Sequence, residues 1–331
     1  MIIFFKFLKK KIKRNFLYIF YINFRGSVHT TMNLTKQKKL SGLNDILKFF
    51  IIRSIFGLTY FRNKIGIRKS DDIIEDKNFT SILKKNSILE SIDLKGHSDL
   101  FKLKESLTDN LLLEILTSLK DSVIFYDDKS TEIKKLNFGD KRTIDEYLTK
   151  NNIHIIKSKV DLNKTTILKK IFLDNFFTKL AKDYLNDDKI SVNTSFFISN
   201  AKNNLNDISK IDLLKSLSAQ EYHFDVDFKK FFKIFVYFSD VLEKENGAHT
   251  FIPHTHTQKK PENYVTSRWS TYEIEKNYPF KKIFLGEAGT VFIEDTFGIH
   301  KGLPVIKKTR LALIIEFGKG HTKIDKDPYF I

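Results

Sequence analysis

The chain contains no cysteine among its 331 residues, and this absence limits the chemistry open to it. Disulfides, thiolate metal sites and cysteine nucleophiles are excluded, so any metal site must use His, Asp, Glu, carbonyl or water ligands. The absence is compatible with a reducing compartment, and we expect a cytoplasmic protein. Internal repeats and Pro- or Gly-rich linkers are also absent, while 41% of the residues are hydrophobic, which is enough for a substantial core.

Acidic residues are almost missing from the first 70 residues, which hold 16 Lys and Arg but a single acid, Asp45. The net charge of +17 therefore resides mainly in this segment, since the remainder carries 41 bases and 39 acids. A nearly neutral main body argues against a basic cleft for nucleic acid, and we expect no such partner. We divide the chain into a basic, partly amphipathic N-terminal segment, 1–70, and a folded domain, 71–331.

No apolar run near the N-terminus is long enough to span a bilayer, since the longest extends only over residues 16–22. The ordered regions of a secretory signal are also lacking. Residues 1–24 mix apolar and basic blocks, which suits an amphipathic segment resting peripherally on an anionic membrane surface. The alternative is that Met32 is the natural start and residues 1–31 are a mis-called extension. Residues 46–60 are expected to form a buried helix.

The pattern of apolar residues predicts helices before about residue 190 and short strands after it. Helices are predicted at 107–119, 143–148 and 162–185, and a short strand at 153–156. We expect Thr108 and Asp109 to cap the first of these helices. The later strands are separated by turns such as that at Gly247. Helices followed by closely spaced strands predict an α+β fold, in which a barrel or sandwich has helices packed on its outside.

One stretch, EYHFDVDF at 221–228, places His223, Asp225 and Asp227 at alternating positions. On a strand these side chains would project from one face. Further on, His300 follows a strand and a glycine turn, and Arg310 begins the next apolar strand. Two imidazoles and one carboxylate form the facial triad of non-haem Fe(II) oxygenases. Arg310 has a planar fork that grips a carboxylate through two hydrogen bonds. The alternative is an ordinary set of polar residues on strands.

Three pieces of the sequence, together with Arg310, resemble the phytanoyl-CoA dioxygenase-like branch of the 2-oxoglutarate- and Fe(II)-dependent oxygenases. They are HFD at 223–225, ENGAHTFIPHTH at 245–256 and GTVFIEDTFGIHKG at 289–302. The second piece is similar to that family's NG…PGSH hairpin but has His254-Thr255 where Gly-Ser is usual. The resemblance covers about residues 190–318. It implies a double-stranded β-helix, the jelly-roll or cupin-like barrel, buttressed by N-terminal helices.

The resemblance also implies an activity with named residues. His223, Asp225 and His300 would be the catalytic residues and bind Fe(II), and Arg310 would bind the distal carboxylate of 2-oxoglutarate. The implied enzyme is a dioxygenase of the hydroxylase type. It would use O2 to hydroxylate a small molecule while 2-oxoglutarate is converted to succinate and CO2. Related halogenases lack the carboxylate ligand that Asp225 provides. The alternative is a non-catalytic cupin-like protein anchored to a membrane or partner through its basic N-terminus.

Several further residues are expected near this site. Asp227 is interpreted as a neighbour of the metal ligands rather than as a ligand, and Asp295 as a residue of a turn or of the same surroundings. The family hairpin makes His256 a candidate near the active site, whereas the roles of His249 and His254 stay open between site and surface. Segment 259–279 is expected to cover the cavity and help select the substrate through Arg268 and Trp269.

Overall fold

Helices and antiparallel strands make up the part of the chain that the computed structural model describes. This part comprises residues 62, 65–68, 76–126, 131–201, 219–259, 268–321 and 329–331. The predictions for residues 1–24, 1–31 and 46–60 lie outside it. None of the described helices has both the length and the apolar content needed to cross a membrane.

The described residues form five α-helices: α1 Lys85–Lys95, α2 Glu105–Thr117, α3 Lys141–Lys150, α4 Asn175–Leu185 and α5 Thr271–Asn277. A 3-10 helix, Leu162–Lys164, and a π-helical turn, Lys169–Leu173, precede α4. Helix α3 begins after Asp140, whose carboxylate accepts the Thr143 N–H. Helix α5 has a capping box formed by Ser270 and Glu273. Both arrangements satisfy N–H groups that have no partner within the helix.

Two helix predictions differ from the structure. Helix α2 begins after Lys104 without a side-chain cap, so the expected cap at Thr108 and Asp109 is wrong and both residues lie inside the helix. The apolar periodicity of 162–185 continues through three separate helical pieces rather than one helix. Asp174 interrupts it because its backbone is extended, with a ψ of 170°.

Strands are short in one sheet and long in the other. They are β1 Phe101–Lys102, β2 Leu119–Tyr126, β3 Thr131–Lys134, β4 Ile153–Val160, β5 Ser191–Ser199, β6 Tyr222–His223, β7 Phe228–Tyr237, β8 His249–Phe251, β9 Arg268–Trp269, β10 Lys282–Phe284, β11 Thr290–Glu294, β12 His300–Gly302, β13 Arg310–His321 and β14 Tyr329–Phe330. The large sheet has the order β1-β11-β7-β13-β5-β4-β2-β3, with β14 also beside β5. The small sheet has the order β10-β8-β12-β6-β9.

The large sheet lies between the helices and the small sheet. Side chains of β7 alternate between two cores, as expected for a strand buried on both faces. Phe232 and Ile234 join the cluster that includes the helices, whereas Phe235 joins the cluster shared with the small sheet. In that second cluster Phe284 of β10 stacks on Phe292 of β11, with ring centroids 4.1 Å apart. The expected α+β fold with helices packed outside the strands is therefore confirmed. The predicted change from helices to strands at about residue 190 is wrong, because β1 to β4 precede this position and α5 follows it.

The stretch EYHFDVDF does not form the single strand that its alternation predicts. Only Tyr222 and His223 are in β6, and β7 begins at Phe228. Between them, the N–H of Asp225 donates to the carbonyl of Thr296 at 2.8 Å, so a connecting segment rather than a strand positions this carboxylate. His223 still lies opposite His300, because β6 and β12 pair at these two residues.

Asp295 joins four parts of the chain at the end of β11. It is fully buried and accepts hydrogen bonds from Arg62, from the Tyr184 hydroxyl at 2.5 Å and from the Phe297 N–H at 3.1 Å. The last bond is a local turn contact, as predicted for Asp295. Burial would raise the pKa of Asp295, but the Arg62 guanidinium outweighs it and keeps this pKa below its ordinary value.

Replacing Asp295 with alanine is expected to destabilise the protein by about 3–5 kcal/mol, because Arg62 would remain as a buried charge without its partner. Urea denaturation followed by far-UV circular dichroism measures the loss. The exposed pair of Arg68 and Asp188 provides the control, since Asp188→Ala should cost less than about 1 kcal/mol. Equal effects of the two substitutions would contradict the structural role given to Asp295.

Candidate metal centre

Three polar side chains converge where β6 and β12 pair. One potential ligand atom from each of His223, Asp225 and His300 lies within 4.8 Å of the other two. His223 Nε2 is 3.9 Å from Asp225 Oδ1, and His300 Nε2 is 3.5 Å from Asp225 Oδ2. Within the described ranges, no other group of three or more His, Cys, Asp or Glu side chains is close enough to hold a metal ion.

The two histidines are oriented by backbone carbonyls. His223 Nδ1–H donates to the Glu221 carbonyl at 2.8 Å, and His300 Nδ1–H donates to the Gly298 carbonyl at 3.0 Å. A carbonyl only accepts, so each bond places the proton on Nδ1 and leaves a lone pair on Nε2. Metal-binding histidines in proteins are held in this way. Both Nε2 atoms therefore face Asp225 in the form that a metal requires.

The electrostatics of the three side chains also favour the protonation states that metal binding requires. Burial lowers the pKa of His223 and, more strongly, that of His300, so both imidazoles are neutral at pH 7. Burial would raise the pKa of Asp225, but Lys233 and the two histidines outweigh it and hold this pKa well below its ordinary value. Two neutral imidazoles and an ionised carboxylate are the states in which these groups bind metals.

Lys233 was missed by sequence reasoning and lies directly on this cluster. Its ammonium is 2.7 Å from Asp225 Oδ2, 3.2 Å from Asp227 Oδ2 and 3.2 Å from Glu316 Oε1. Burial would lower its pKa, but Asp225 and Glu316 outweigh this and raise it above the ordinary value. Asp227 is buried and contacts this lysine, beside the group of three rather than within it. The sequence signal is a lysine in the middle of the apolar strand FKKFFKIFVY.

Arg310 begins β13 and places a half-buried guanidinium near the hairpin that precedes β8. Its Nη1 donates to the Gly247 carbonyl and its Nη2 lies 3.4 Å from the Ser199 hydroxyl. Gly247 has a φ of +81°, and a Cβ there would lie 2.4 Å from a methyl of Val305, so only glycine fits. Among the described residues, the buried Nε of Arg310 has no hydrogen-bond partner. Burial lowers the Arg310 pKa, yet a guanidinium stays charged.

His249 lies between the two sheets and belongs to the site's surroundings. Its ring centroid is 5.5 Å from that of His300 and 4.6 Å from that of Phe235. Burial raises the Glu294 pKa well above its ordinary value and lowers the His249 pKa well below its own. The Glu294 carboxyl and His249 Nε2 share a hydrogen bond of 2.7 Å. Glu294, like Lys233, was not among the residues predicted from the sequence.

The other two histidines of the hairpin form hydrogen bonds with helix α1 instead. His254 Nδ1–H donates to the Leu94 carbonyl and His256 Nε2–H to the Asp93 carbonyl, each at 2.8 Å. The His254 N–H also donates to the Lys95 carbonyl. These three carbonyls end α1 and lack partners within the helix. The placement of His256 near the active site is thus corrected, and the three hairpin histidines form no common metal cluster.

Arg268 and Trp269 lie on opposite faces of β9. Register pairs Arg268 with His223 and Trp269 with Tyr222. Because opposed residues of antiparallel strands share a face, Arg268 is on the His223 side of the sheet. Trp269 is buried on the other side and stacks on Phe224, with ring centroids 5.7 Å apart. This corrects the predicted placement of Trp269 at the substrate site. Residues 260–267 of the expected cover lie outside the described residues.

An open cavity adjoins the cluster on the large-sheet side. Its volume is about 1020 Å³, and its wall includes Lys157, Phe197, Asp227, Lys233 and Glu316. Cavities of this order accommodate small organic molecules. Lys233 and Asp227 thus separate the three converging side chains from a space of suitable size for a substrate.

Comparison with known proteins gives limited results. No protein-family model and no curated protein matches the chain. Among solved structures, the epimerase SnoN in complex with Fe3+, alpha ketoglutarate and nogalamycin RO matches with 13% identity and a TM-score of 0.49, over 72% of this chain and 87% of that chain. HygX from Streptomyces hygroscopicus with nickel and 2-oxoglutarate bound matches with 14% identity and a TM-score of 0.43, over 71% and 87%.

The non-heme alpha ketoglutarate dependent carbocyclase SnoK from nogalamycin biosynthesis also matches, with 11% identity and a TM-score of 0.43, over 78% of this chain and 89% of that chain. These structural neighbours are non-haem enzymes or contain iron, nickel or 2-oxoglutarate. Their identities and TM-scores are too low to transfer an activity to this chain, so any activity has to be argued from the geometry of the site.

Proposed function

We propose that the chain is an Fe(II)- and 2-oxoglutarate-dependent oxygenase of the hydroxylase type, with a double-stranded β-helix core and a small-molecule substrate. One observation carries the proposal. His223, Asp225 and His300 bring two Nε2 atoms and a carboxylate to within 4.8 Å of one another, with both Nδ1 atoms already bonded to backbone carbonyls. Ordinary polar residues on strands would have no reason to share this tautomer and this convergence.

The donor set fits a divalent metal such as Fe(II). Two imidazoles and one carboxylate leave coordination positions open for further ligands, which is the arrangement of the facial triad. Residues His223, Asp225 and His300 would hold the metal. The charge also fits: Asp225, Asp227 and Glu316 against Lys233 give a formal charge of −2, which a divalent cation balances.

Arg310 is the residue that would hold the distal carboxylate of 2-oxoglutarate. Its side chain is half-buried, and its buried Nε lacks a partner among the described residues, so a donor of the fork is available to a ligand. A half-buried cation with an unused, desolvated donor suits an anionic ligand far better than it suits an empty site.

The chemistry at the metal would couple the conversion of 2-oxoglutarate and O2 to succinate and CO2 with oxidation of the substrate. The chain's own part is to orient and to exclude water. His300 is buried, His223 is partly buried, and both are held by carbonyls, while Phe235, Phe284 and Phe292 fill the space beside His249. The cavity beside Lys233 is proposed to bind the substrate. The carboxylate of Asp225 supports hydroxylation rather than halogenation, which would need its position for a halide.

An anaerobic titration of the apoprotein with Fe(II) and 2-oxoglutarate tests the proposal. We expect a visible charge-transfer band of the chelated complex in the wild-type protein and succinate formation when O2 and a substrate are admitted. The band should be absent from His223→Ala. His254→Ala serves as the matched control, because this histidine bonds helix α1 and should leave the band unchanged.

Two outcomes would contradict the proposal. If the folded wild-type protein binds Fe(II) but shows no band with 2-oxoglutarate, the site is a metal centre of another kind. If it binds no Fe(II), the non-catalytic cupin-like reading replaces the oxygenase. This titration does not test two separate proposals, which are the membrane contact through residues 1–24 and the division of the chain at residue 70.

A further inference from the structure

Lys233 occupies a position where a lysine is costly. It lies in the middle of β7, and its side chain is only 14% exposed. Burying an ammonium costs several kcal/mol unless good partners replace its water. The partners here are three carboxylates, Asp225, Asp227 and Glu316, of which the first is a proposed metal ligand.

The sheet fixes where the ammonium can lie. Lys233 pairs in register with Glu294 on β11 and with Glu316 on β13, so both strands that flank it are hydrogen-bonded to β7. Glu316 anchors the ammonium from the β13 side at 3.2 Å. The Glu294 carboxyl instead forms a hydrogen bond with His249, so the carboxylates that contact Lys233 are the other acids. Lys233 is thus anchored within the large sheet by Glu316, and its ammonium also contacts the segment between β6 and β7 that carries Asp225 and Asp227.

The contact with Asp225 involves one of its two oxygens. Lys233 is 2.7 Å from Oδ2, which also lies 3.5 Å from His300 Nε2, whereas Oδ1 lies 3.9 Å from His223 Nε2 and has no contact with the ammonium. A carboxylate oxygen that accepts a short bond from an ammonium is a poorer metal ligand than its free partner. Asp227 lies two residues away and is engaged by the same ammonium at 3.2 Å. Lys233 thus bridges Asp225, which belongs to the group of three, and Asp227, which lies beside it.

We propose that Lys233 is a positioning residue of the metal centre: it makes Asp225 a one-oxygen ligand and keeps Asp227 out of the coordination sphere. The inference rests on the proposed function, because it assumes a metal on His223, Asp225 and His300. The role proposed for Lys233 affects the coordination positions that the three ligands leave open. A second oxygen of Asp225, or Asp227 itself, would fill sites that a bidentate co-substrate needs. Lys233 keeps those sites available.

A set of four proteins tests the inference: wild type, Lys233→Met, Asp227→Asn and the double variant. Each is titrated anaerobically with Co(II), whose visible spectrum reports coordination, and then with 2-oxoglutarate in the Fe(II) form. We expect Lys233→Met to retain metal but to bind 2-oxoglutarate at least about tenfold more weakly, as is typical when the partner of a metal ligand is lost. Its Co(II) spectrum should change toward a higher coordination number.

The double variant distinguishes positioning from simple structural support. Asp227→Asn removes the competing carboxylate, so the lysine substitution should have little further effect in its background, and the double variant should regain most of the 2-oxoglutarate affinity that Lys233→Met loses. Lys233→Met with wild-type 2-oxoglutarate affinity would overturn the inference, as would a double variant as weak as Lys233→Met. A wild-type protein without metal binding would instead overturn the proposed function itself.

A folding defect of Lys233→Met would not leave the question open. Lys233→Gln keeps a hydrogen-bond donor of similar length without the charge, and Lys233→Gln with Asp227→Asn gives a neutral pair of amides. The same comparison then applies. We expect Lys233→Gln to bind 2-oxoglutarate more weakly than wild type, and the combination with Asp227→Asn to recover the affinity. Equal affinities in both proteins would contradict the role of Lys233.

Discussion

Replacing Asp225 with alanine is expected to abolish 2-oxoglutarate turnover in a protein that remains folded. The substitution removes the only carboxylate of the converging group formed with His223 and His300 in the described part of the chain. Loss of a residue that merely supports a metal ligand already costs about 10–100-fold in metal affinity, so loss of the ligand itself should cost more than about 100-fold. Metal content after dialysis and succinate formation measure the two effects.

The fold should tolerate this change because the charge left behind keeps partners. Lys233 retains Asp227 and Glu316 when Asp225 is removed. Circular dichroism and thermal unfolding verify that the protein is folded. His254→Ala is the control, since this histidine bonds helix α1 and its loss should keep both metal and turnover. An Asp225→Ala protein with wild-type metal content and turnover would show that another carboxylate is the ligand.

Much of the candidate site could be predicted from the sequence because its residues stand in a distinctive order. An alternating His-x-Asp, a distant His300 after a strand, and Arg310 ten residues later are visible without any structure. The convergence of His223 with His300 then requires only that β6 and β12 be neighbours, which the structure shows. The alternation predicted a strand through Asp225, however, and the chain instead leaves the strand after His223.

Lys233, Glu294 and Glu316 could not be placed in the same way. Each is a single charged residue in an apolar strand, a pattern that signals a buried charge without naming its partner. Their association depends on the register of β7 with β11 and β13, which sets Lys233 opposite both acids. Register depends on pairing between segments far apart in sequence, and one sequence does not contain it. The charges were visible, but their pairing was not.

The faces of short strands posed a similar problem. Arg268 and Trp269 are adjacent in sequence, so a strand must separate their side chains. Composition alone grouped them together as substrate-binding residues, whereas the structure places only Arg268 on the face of His223. Likewise, the family hairpin made His256 a candidate near the site and left His254 open between site and surface, yet both bond the last carbonyls of α1. Tertiary contacts with an earlier helix decided their role.

Replacing Arg310 with methionine is expected to weaken 2-oxoglutarate binding by about 100-fold while leaving Fe(II) binding unchanged. Truncating one partner of a buried, hydrogen-bonded charge pair costs about 2–5 kcal/mol, and each 1.4 kcal/mol corresponds to about tenfold in affinity. The guanidinium takes no part in the group that can hold a metal, so the two affinities should separate. Titrations with Fe(II) and then with 2-oxoglutarate measure each affinity in the same sample.

Arg310→Lys distinguishes charge from geometry in this site. Lysine keeps the positive charge but offers no planar fork, so its 2-oxoglutarate affinity should fall between those of wild type and Arg310→Met. Both variants lose the bond from Nη1 to the Gly247 carbonyl, and a shared loss of thermal stability would therefore trace to the hairpin rather than to ligand binding. If Arg310→Met binds 2-oxoglutarate as wild type does, another cation holds the distal carboxylate, and Lys233 becomes the first to examine because it already lies 2.7 Å from Asp225.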